Sequence, residues 1–377
     1  MPSRIYRTSN SRLPLALLIV AAILLPNLSS PAQADAVTWT VRGGGFGHGI
    51  GMSAYGAYGM GLDGYKYGRI LGQYYRGIKI RKLKQQRNIR VLLDVSSSPW
   101  FSGASWACGR KLLPRLTYGA GFGRNGIYLK GAAGKPLKRC GKVLRTEANG
   151  SVNFKGLGIY RGGVEISRSG GSLNVINNVP VNLYCRGVLA KEVIPSWPLE
   201  TLKAFALAAR SIGLSSKGAH DGFDVYPDTR SQVYGPISSE FPQTNRACAA
   251  TANQVLMYGG KVAMALFSAS SGGHTENVEN VWYGDPVPYL RGVPDPWDKV
   301  SPYHRWTYDY TPARINSLLG SYVSGRLRSV KITRYGVSKR VIWARLYGTR
   351  GVTNIHGDSL QYALGLPDRL IFSITRR

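Results

Sequence analysis

Apolar and polar positions repeat along this chain in more than one period, and the changes of period divide it. Leu15 to Leu25 is an unbroken apolar run of 11 residues, preceded by Arg4, Arg7 and Arg12 and ended by Pro26 and Asn27. A bilayer span needs roughly 20 such residues, so the run reads as the apolar part of a secretory signal. Ala32-Gln33-Ala34 supplies the small-residue cleavage pattern, and Asp35 is the expected first residue of the mature chain. No later stretch is long and apolar enough to suggest a transmembrane helix, so no stable membrane span is expected once the signal is removed.

Between Val37 and Ile80 the pattern is set by Gly, Tyr and small residues. Gly43 to Ser53 holds too many glycines for an ordinary helix and implies positive φ or close approach of other groups. Tyr55 to Tyr75 has the spacing of one or two helices packed on that loop. From Ile89 to about Val179, β-type runs such as Arg90–Val95, Gly126–Leu129 and Gly163–Ile166 are separated by glycine turns, predicting an antiparallel β region. That region carries no catalytic pattern and reads as scaffold, with glycan binding by its basic turns as the alternative.

Beyond it, Val179–Tyr184 reads as a strand and Gly187–Ile194 as a short helix ended by Pro195. Ser196-Trp197-Pro198 opens a longer helix whose apolar stripe is Leu199, Leu202, Phe205/Ala206, Ala209 and Ile212. A helix is expected over Thr244–Val255 and a strand over Val262–Phe267. After Ser329, strand-like runs surround a helix near Asp358–Leu364. The class is α+β: a β-rich domain with a few helices plus an inserted antiparallel β region. The expected divisions are 1–34 (signal), 35–80 (glycine-histidine segment), 81–178 (inserted or accessory β region) and 179–377 (core).

Charge changes the picture next. The 49 Lys and Arg outnumber the 19 Asp and Glu, for a formal charge of +30. Such a balance implies a polyanionic environment. Export argues against nucleic acid as a partner and for anionic wall polymers, although a solvated basic surface accounts for most charges spread this evenly. Cys108, Cys140, Cys185 and Cys248 allow three pairings. An even count in an exported chain favours disulfides, and the most local choice joins Cys108 to Cys140 and Cys185 to Cys248. No CxxC spacing supports a zinc site.

Acidic residues are scarce, so one among apolar neighbours is informative. Glu192 is followed by Val193, Ile194, Pro195 and Trp197. A carboxyl group in such surroundings is disfavoured as an anion and can serve as a general acid; a solvent-facing helix residue is the plainer alternative. His48 and His274 lie in glycine-rich loops of the kind that border clefts. A Ser-His-Asp arrangement could draw on Ser270 or Ser271, but there is no Gly-x-Ser-x-Gly elbow, and no HExxH pattern occurs.

Several blocks together resemble the SpoIID/LytB family. They are Val188 to Ala204 with Ala208-Ala209-Arg210; Asp228-Thr229 with Ser231 to Tyr234; Ser270 to Glu276; Trp282-Tyr283-Gly284 with Pro288-Tyr289-Leu290; and Gly45 to Ala57. In typical members the glycine-histidine block closes the domain after a segment like Gly351–Ile374. Here it comes first, so the order looks circularly permuted. Permutation would bring Val41 and Ile374 together and leave 81–178 inserted at the side.

The resemblance implies work on peptidoglycan in the cell wall or periplasm, in one of two forms. One is a lytic transglycosylase that cuts MurNAc–GlcNAc bonds and leaves 1,6-anhydro ends. The other is a non-enzymatic enhancer of an N-acetylmuramoyl-L-alanine amidase. By position Glu192 matches the family's catalytic glutamate. His48, Ser53, Tyr55, Arg210, Gln232, Tyr234, Ser270, Ser271, His274 and Glu276 are the implied substrate-binding positions along glycan strands. Ala54 and Phe205 stand where Gln is common in the family. Some members hold a metal through Cys and His, but the His220–Asp228 loop has no cysteine. No metal or other cofactor is expected.

Overall fold

The computed structural model describes residues 37–377 except Tyr283, with the side chains of Ala148 and Asn149 also set aside. The expected signal segment and its cleavage site lie outside the described residues. The helices described are α1 (Ala54–Leu62), α2 (Tyr67–Tyr74), α3 (Val181–Glu192), α4 (Leu199–Ser215), α5 (Pro242–Ala250), α6 (Pro312–Leu318) and α7 (Gly357–Leu364). None of the described helices is long and apolar enough to cross a membrane. Antiparallel strands dominate the rest, so the chain is a β-rich α+β protein.

The β region is one ten-stranded sheet. Its main path runs from Asn88–Ser96 through Ser172–Pro180, Gly163–Ser169, Val143–Phe154, Trp100–Ala107, Tyr118–Gly123 and Gly126–Lys130 to Pro136–Gly141. Its buried side chains, among them Phe101, Leu144, Val152 and Ile166, join the same apolar core as α1 to α5. A second core gathers Trp39 and Val41 with Val341, Leu346 and Ile371 from near the end of the chain. There the strand Trp39–Gly44 pairs antiparallel with Leu370–Arg376, and Val41 lies directly opposite Ile374. That adjacency is necessary for a permuted order and is not sufficient to establish one.

Three elements differ from the sequence expectation. The strand expected to reach Tyr184 stops at Pro180, where α3 begins. Val181, Tyr184, Cys185, Val188 and Leu189 are all buried and follow a helical stripe across the expected boundary. The helix expected over Thr244–Val255 ends at Ala250, because Asn253 adopts φ 61° and Gln254–Tyr258 pairs with the strand Lys79–Lys82. The strand expected over Val262–Phe267 is two short pieces, Lys261–Val262 and Phe267–Ser268, the second running parallel to Met52–Ser53.

Helix α4 is central: from Thr201 to Leu214 every residue except Lys203 is buried. Its alanines admit the neighbouring helices, and its one deeply buried cation, Arg210, holds them. Arg210 donates to the carbonyls of Gln254 (2.9 Å) and Thr251 (2.6 Å), to the Thr251 hydroxyl (2.7 Å) and to the Cys248 carbonyl (3.5 Å). No carboxylate pairs with it among the described residues. The carbonyls at the C-terminal end of α5 carry the negative end of that helix dipole and take the counter-ion's place. Burial still pulls the guanidinium down to about 9. Disulfides Cys185–Cys248, linking α3 to α5, and Cys108–Cys140, in the sheet, are both present.

Arg210 is therefore a structural residue here, and its removal orphans several buried acceptors. Arg210→Met should lower unfolding free energy by roughly 3–5 kcal/mol. Urea denaturation checks this, and a loss below about 1 kcal/mol would contradict the assignment.

Candidate active site

The loop from Gly43 to Ser53 is built on alternating glycines. Gly45, Gly47, Gly49 and Gly51 all have positive φ. At Gly49 (φ +71°) a Cβ would also lie 2.2 Å from Cζ of Arg340, so only glycine fits. Arg340 is fully buried, pairs with Asp368 (2.6 Å) and donates to the carbonyls of Ser271 (3.1 Å) and His274 (3.0 Å). One buried ion pair thus fixes the glycine loop, the 270–276 loop and the C-terminal segment together.

Ser53 caps α1: its hydroxyl accepts from Gly56 N–H (3.1 Å) and donates to Asp298 (2.9 Å). Asp298 also accepts from the Ser270 hydroxyl, from Ser271 N–H (2.9 Å), from Gly272 N–H (3.0 Å) and sits 3.0 Å from His304 Nδ1. Asp295 accepts from the Ser271 hydroxyl (2.7 Å) and Tyr74 OH (2.9 Å). Ser53, Ser270, Ser271, Asp295 and Asp298 have no exposed surface.

These three serines, expected at the substrate, instead bind the loops into the interior. Neither Ser270 nor Ser271 bonds to His48 or His274 in the described contacts. The Ser-His-Asp arrangement is therefore not assembled.

Several other expected contact residues are buried as well. Glu276 accepts from Asn277, Val337 and Ser338 N–H groups, the Asn280 amide and the Ser338 hydroxyl. Burial alone would raise its pKa; the Asn280 and Ser338 bonds with the backbone donors outweigh this and hold the carboxyl below its ordinary range. Gln232 donates to Tyr184 OH (3.0 Å) and the Ala209 carbonyl (3.2 Å), and Tyr234 OH donates to Asn177 (2.7 Å). With Arg210, these residues shape the site from behind.

Glu192 is different. It ends α3 and is half-buried, with one oxygen accepting from Val233 N–H at 2.6 Å. Burial raises its pKa, and the Val233 bond offsets this only in part. It opens onto a cavity of about 370 Å³ walled by Phe46, Tyr55, Trp197, Phe267 and Tyr303, with Ala54, Ser268 and Ala269. Among the described residues, no second carboxylate lines that cavity. Tyr58 stacks on Trp197 at 5.0 Å, while Tyr55 meets the same ring edge-on at 5.5 Å. Such an aromatic wall suits the apolar face of a sugar ring. Phe205, where Gln is common in the family, is buried and packs edge-on to Phe267 at 5.1 Å, so it extends the wall's support.

His48 lies outside this cavity. It borders a second one, of about 850 Å³, lined by Trp282, Tyr362 and Arg369 and sharing Phe46 with the first. Its Nδ1 accepts from Ile50 N–H (2.9 Å), its ring meets Trp282 at 5.1 Å, and burial followed by the Arg340 charge lowers it to about 4. It is a neutral ring near pH 7. His274 borders neither cavity, and its Nδ1 lies 2.6 Å from the Thr275 carbonyl.

A Cys/His metal site does not fit these residues. All four cysteines are in disulfides, and His220 stacks on Phe223 at 4.6 Å. The sequence reading passed over Asp295 and Asp298, although Asp295-Pro296-Trp297-Asp298 in an acid-poor chain was a signal.

Residues 169–258 match the family model described as SpoIID: Stage II sporulation protein. The Stage II sporulation protein D of Bacillus subtilis is 30% identical over 208 residues, covering 51% of this chain and 59% of that protein. Over this segment the chain is similar to the SpoIID/LytB family. An uncharacterized protein of Brachyspira hyodysenteriae is 35% identical over 184 residues, covering 44% of this chain and 50% of that one. The Amidase enhancer of Bacillus subtilis is 36% identical over 133 residues, covering 35% of this chain and 17% of its own length. The chain thus spans at most about three-fifths of these relatives. In SpoIID/LytB terms, the matched segment holds α3, α4 and the Val233 loop around Glu192.

The buried hub gives this site a pH signature in stability. Burial raises Asp295 to about 7, with the nearby Asp298 charge adding to it. The unfolded carboxyl titrates near about 3.9. Between these values the folded chain holds a proton that the unfolded chain has lost, so stability falls as pH rises. Asp295→Asn should flatten the decline between pH 5 and 8 by roughly 2–3 kcal/mol. Glu276, held low, acts below that window. Equal slopes for the two proteins in urea denaturation would rule out Asp295 as the titrating group.

Proposed function

We propose that this chain acts on the bacterial cell wall as a peptidoglycan lytic transglycosylase, with Glu192 as its one acid and base. The observation that carries the reading is a single carboxyl group, raised by burial, on a cavity walled by aromatic rings. Hydrolysis by the usual glycosidase route needs two carboxylates flanking the bond. A transglycosylase needs one, because the nucleophile comes from the substrate.

The step balances without water. Val233 N–H occupies Glu192 Oε1, leaving the other oxygen to carry the proton. Glu192 donates that proton to the glycosidic oxygen as the C1–O bond of the muramoyl residue breaks. The C6 hydroxyl of the same sugar then attacks C1, and its proton returns to the Glu192 carboxylate. The products are a 1,6-anhydromuramoyl end and a free C4 hydroxyl. Intramolecular attack has a high effective molarity, which makes a single acid-base group sufficient. Export to the wall or periplasm, through the 1–34 segment, is part of the same proposal.

The second reading is a non-enzymatic wall binder that stimulates an N-acetylmuramoyl-L-alanine amidase. The relative named Amidase enhancer favours it, and so does Ala54, which puts a methyl group on the cavity wall where Gln is common in the family.

Mass spectrometry of glycan strands, peptide-bearing and denuded, separates the two. Glu192→Gln should cut anhydromuramoyl release by at least about 10³-fold while leaving the melting temperature within a few degrees of wild type. Activity surviving in the folded variant would remove Glu192 from the chemistry. Absence of cleavage by the wild-type protein, with amidase stimulation unchanged in the variant, would select the enhancer reading.

A further inference from the structure

The ten-stranded sheet lies mostly outside the family-matched segment and carries a site of its own. Between residues 81 and 178 there are 18 Lys and Arg but only three acids, Asp94, Glu147 and Glu165. Four of these cations converge on one groove of about 510 Å³. Arg124 comes from the turn between Tyr118–Gly123 and Gly126–Lys130, Arg139 from the strand Pro136–Gly141, Lys142 from the turn after it, and Arg168 from the strand Gly163–Ser169. All four are exposed, and no Asp or Glu lines the groove.

Several cations elsewhere are matched. Arg145 pairs with Glu165, Arg161 with Glu240, Arg291 with Glu279 and Arg369 with Asp358. Among the described residues, no carboxylate pairs with Arg124, Arg139, Lys142 or Arg168. Arg168 lies over the Phe122 ring at 5.0 Å and donates to the Gly170 carbonyl at 3.0 Å, which fixes its stem. The Cys108–Cys140 disulfide anchors the chain between Arg139 and Lys142. Four like charges in one concavity repel one another, and among the described residues no carboxylate lines the groove to offset that repulsion. A bound polyanion would.

We propose that this groove binds a phosphodiester-linked polyanion, a wall polymer with one negative charge per repeat. Three of its four cations are arginines, whose planar forks match phosphate oxygens two at a time. The charges lie exposed along the groove, which suits a flexible chain laid across it. None of the groove residues lines the Glu192 cavity, so the site is independent of the proposed chemistry and would hold the protein on its substrate's matrix.

The test is fluorescence anisotropy of a labelled glycerol-phosphate oligomer with the intact protein. The combined variant Arg124→Gln, Arg139→Gln, Lys142→Gln, Arg168→Gln should weaken binding on the order of tenfold to a hundredfold and flatten its salt dependence. A control removes the same charge at exposed positions outside the groove, Lys84→Gln, Lys111→Gln, Arg115→Gln and Lys135→Gln, and should change affinity less than about threefold. Both variants should keep the wild-type melting temperature and circular dichroism. Equal losses in the two variants would reduce the groove to diffuse charge and overturn the proposal. So would unchanged binding by the groove variant, or groove-dependent binding that is tighter for polyglutamate or single-stranded DNA of equal charge.

Discussion

The carboxylate of Asp298 is the constraint on which the site depends. It is fully buried, takes donors from Ser53, Ser270, Ser271 and Gly272 and lies 3.0 Å from His304 Nδ1, residues on three separate segments. A buried anion is tolerated only when its lone pairs are filled this completely. The arrangement is cooperative for that reason, since loss of one donor raises the cost of burial for the rest. Ser53 caps α1, Ser270 and Ser271 fix the loop that crosses beneath the cavity, and Tyr55 N–H accordingly meets the Ala269 carbonyl at 3.0 Å. The wall facing Glu192 is positioned by a network that never touches the cavity.

Two glutamates show how environment divides roles. Glu276 and Glu192 are both withdrawn from water, yet the first is held low and the second raised. The difference lies in donors: a ring of backbone and side-chain groups around Glu276 against one backbone N–H at Glu192. The first is a fastening for the 336–338 turn, so close that a Cβ at Gly336 would fall 2.2 Å from its oxygen. The second keeps a free oxygen toward the cavity. A group that must release and recover a proton cannot be as heavily bonded as Glu276.

Much of this was legible in the residues. The stripe through α4 and the apolar neighbours of Glu192 follow from periodicity and composition, and the local cysteine pairing is the one present. The helical stripe from Val181 to Leu189 is equally visible, but its first residues also continue a β run, which divides it between a strand and a helix. What was not legible is direction. A serine in a polar loop reads the same whether it faces a sugar or an aspartate, and Ser53 meets its aspartate 245 residues away. The glycine-histidine segment was rightly read as backbone under constraint. The agent of that constraint, Arg340 with Asp368, is set by tertiary packing and leaves no local mark.

The ten-stranded sheet is tied to the proposed acid as well as to the groove. Asn177 accepts from Tyr234 OH, the Tyr160 and Tyr234 rings lie 5.5 Å apart, and Arg161 grips Glu240 through two bonds of 2.7 and 2.9 Å. These contacts fasten the chain just after Val233, whose N–H meets Glu192. A shift of that segment by an ångström would stretch a 2.6 Å bond beyond useful length. Glu192 would then lose the one interaction that favours its anion, and return of the proton from the sugar would become harder to reverse. On the proposed mechanism, a sheet that reads in sequence as an accessory helps to set the balance between the two protonation states of that acid.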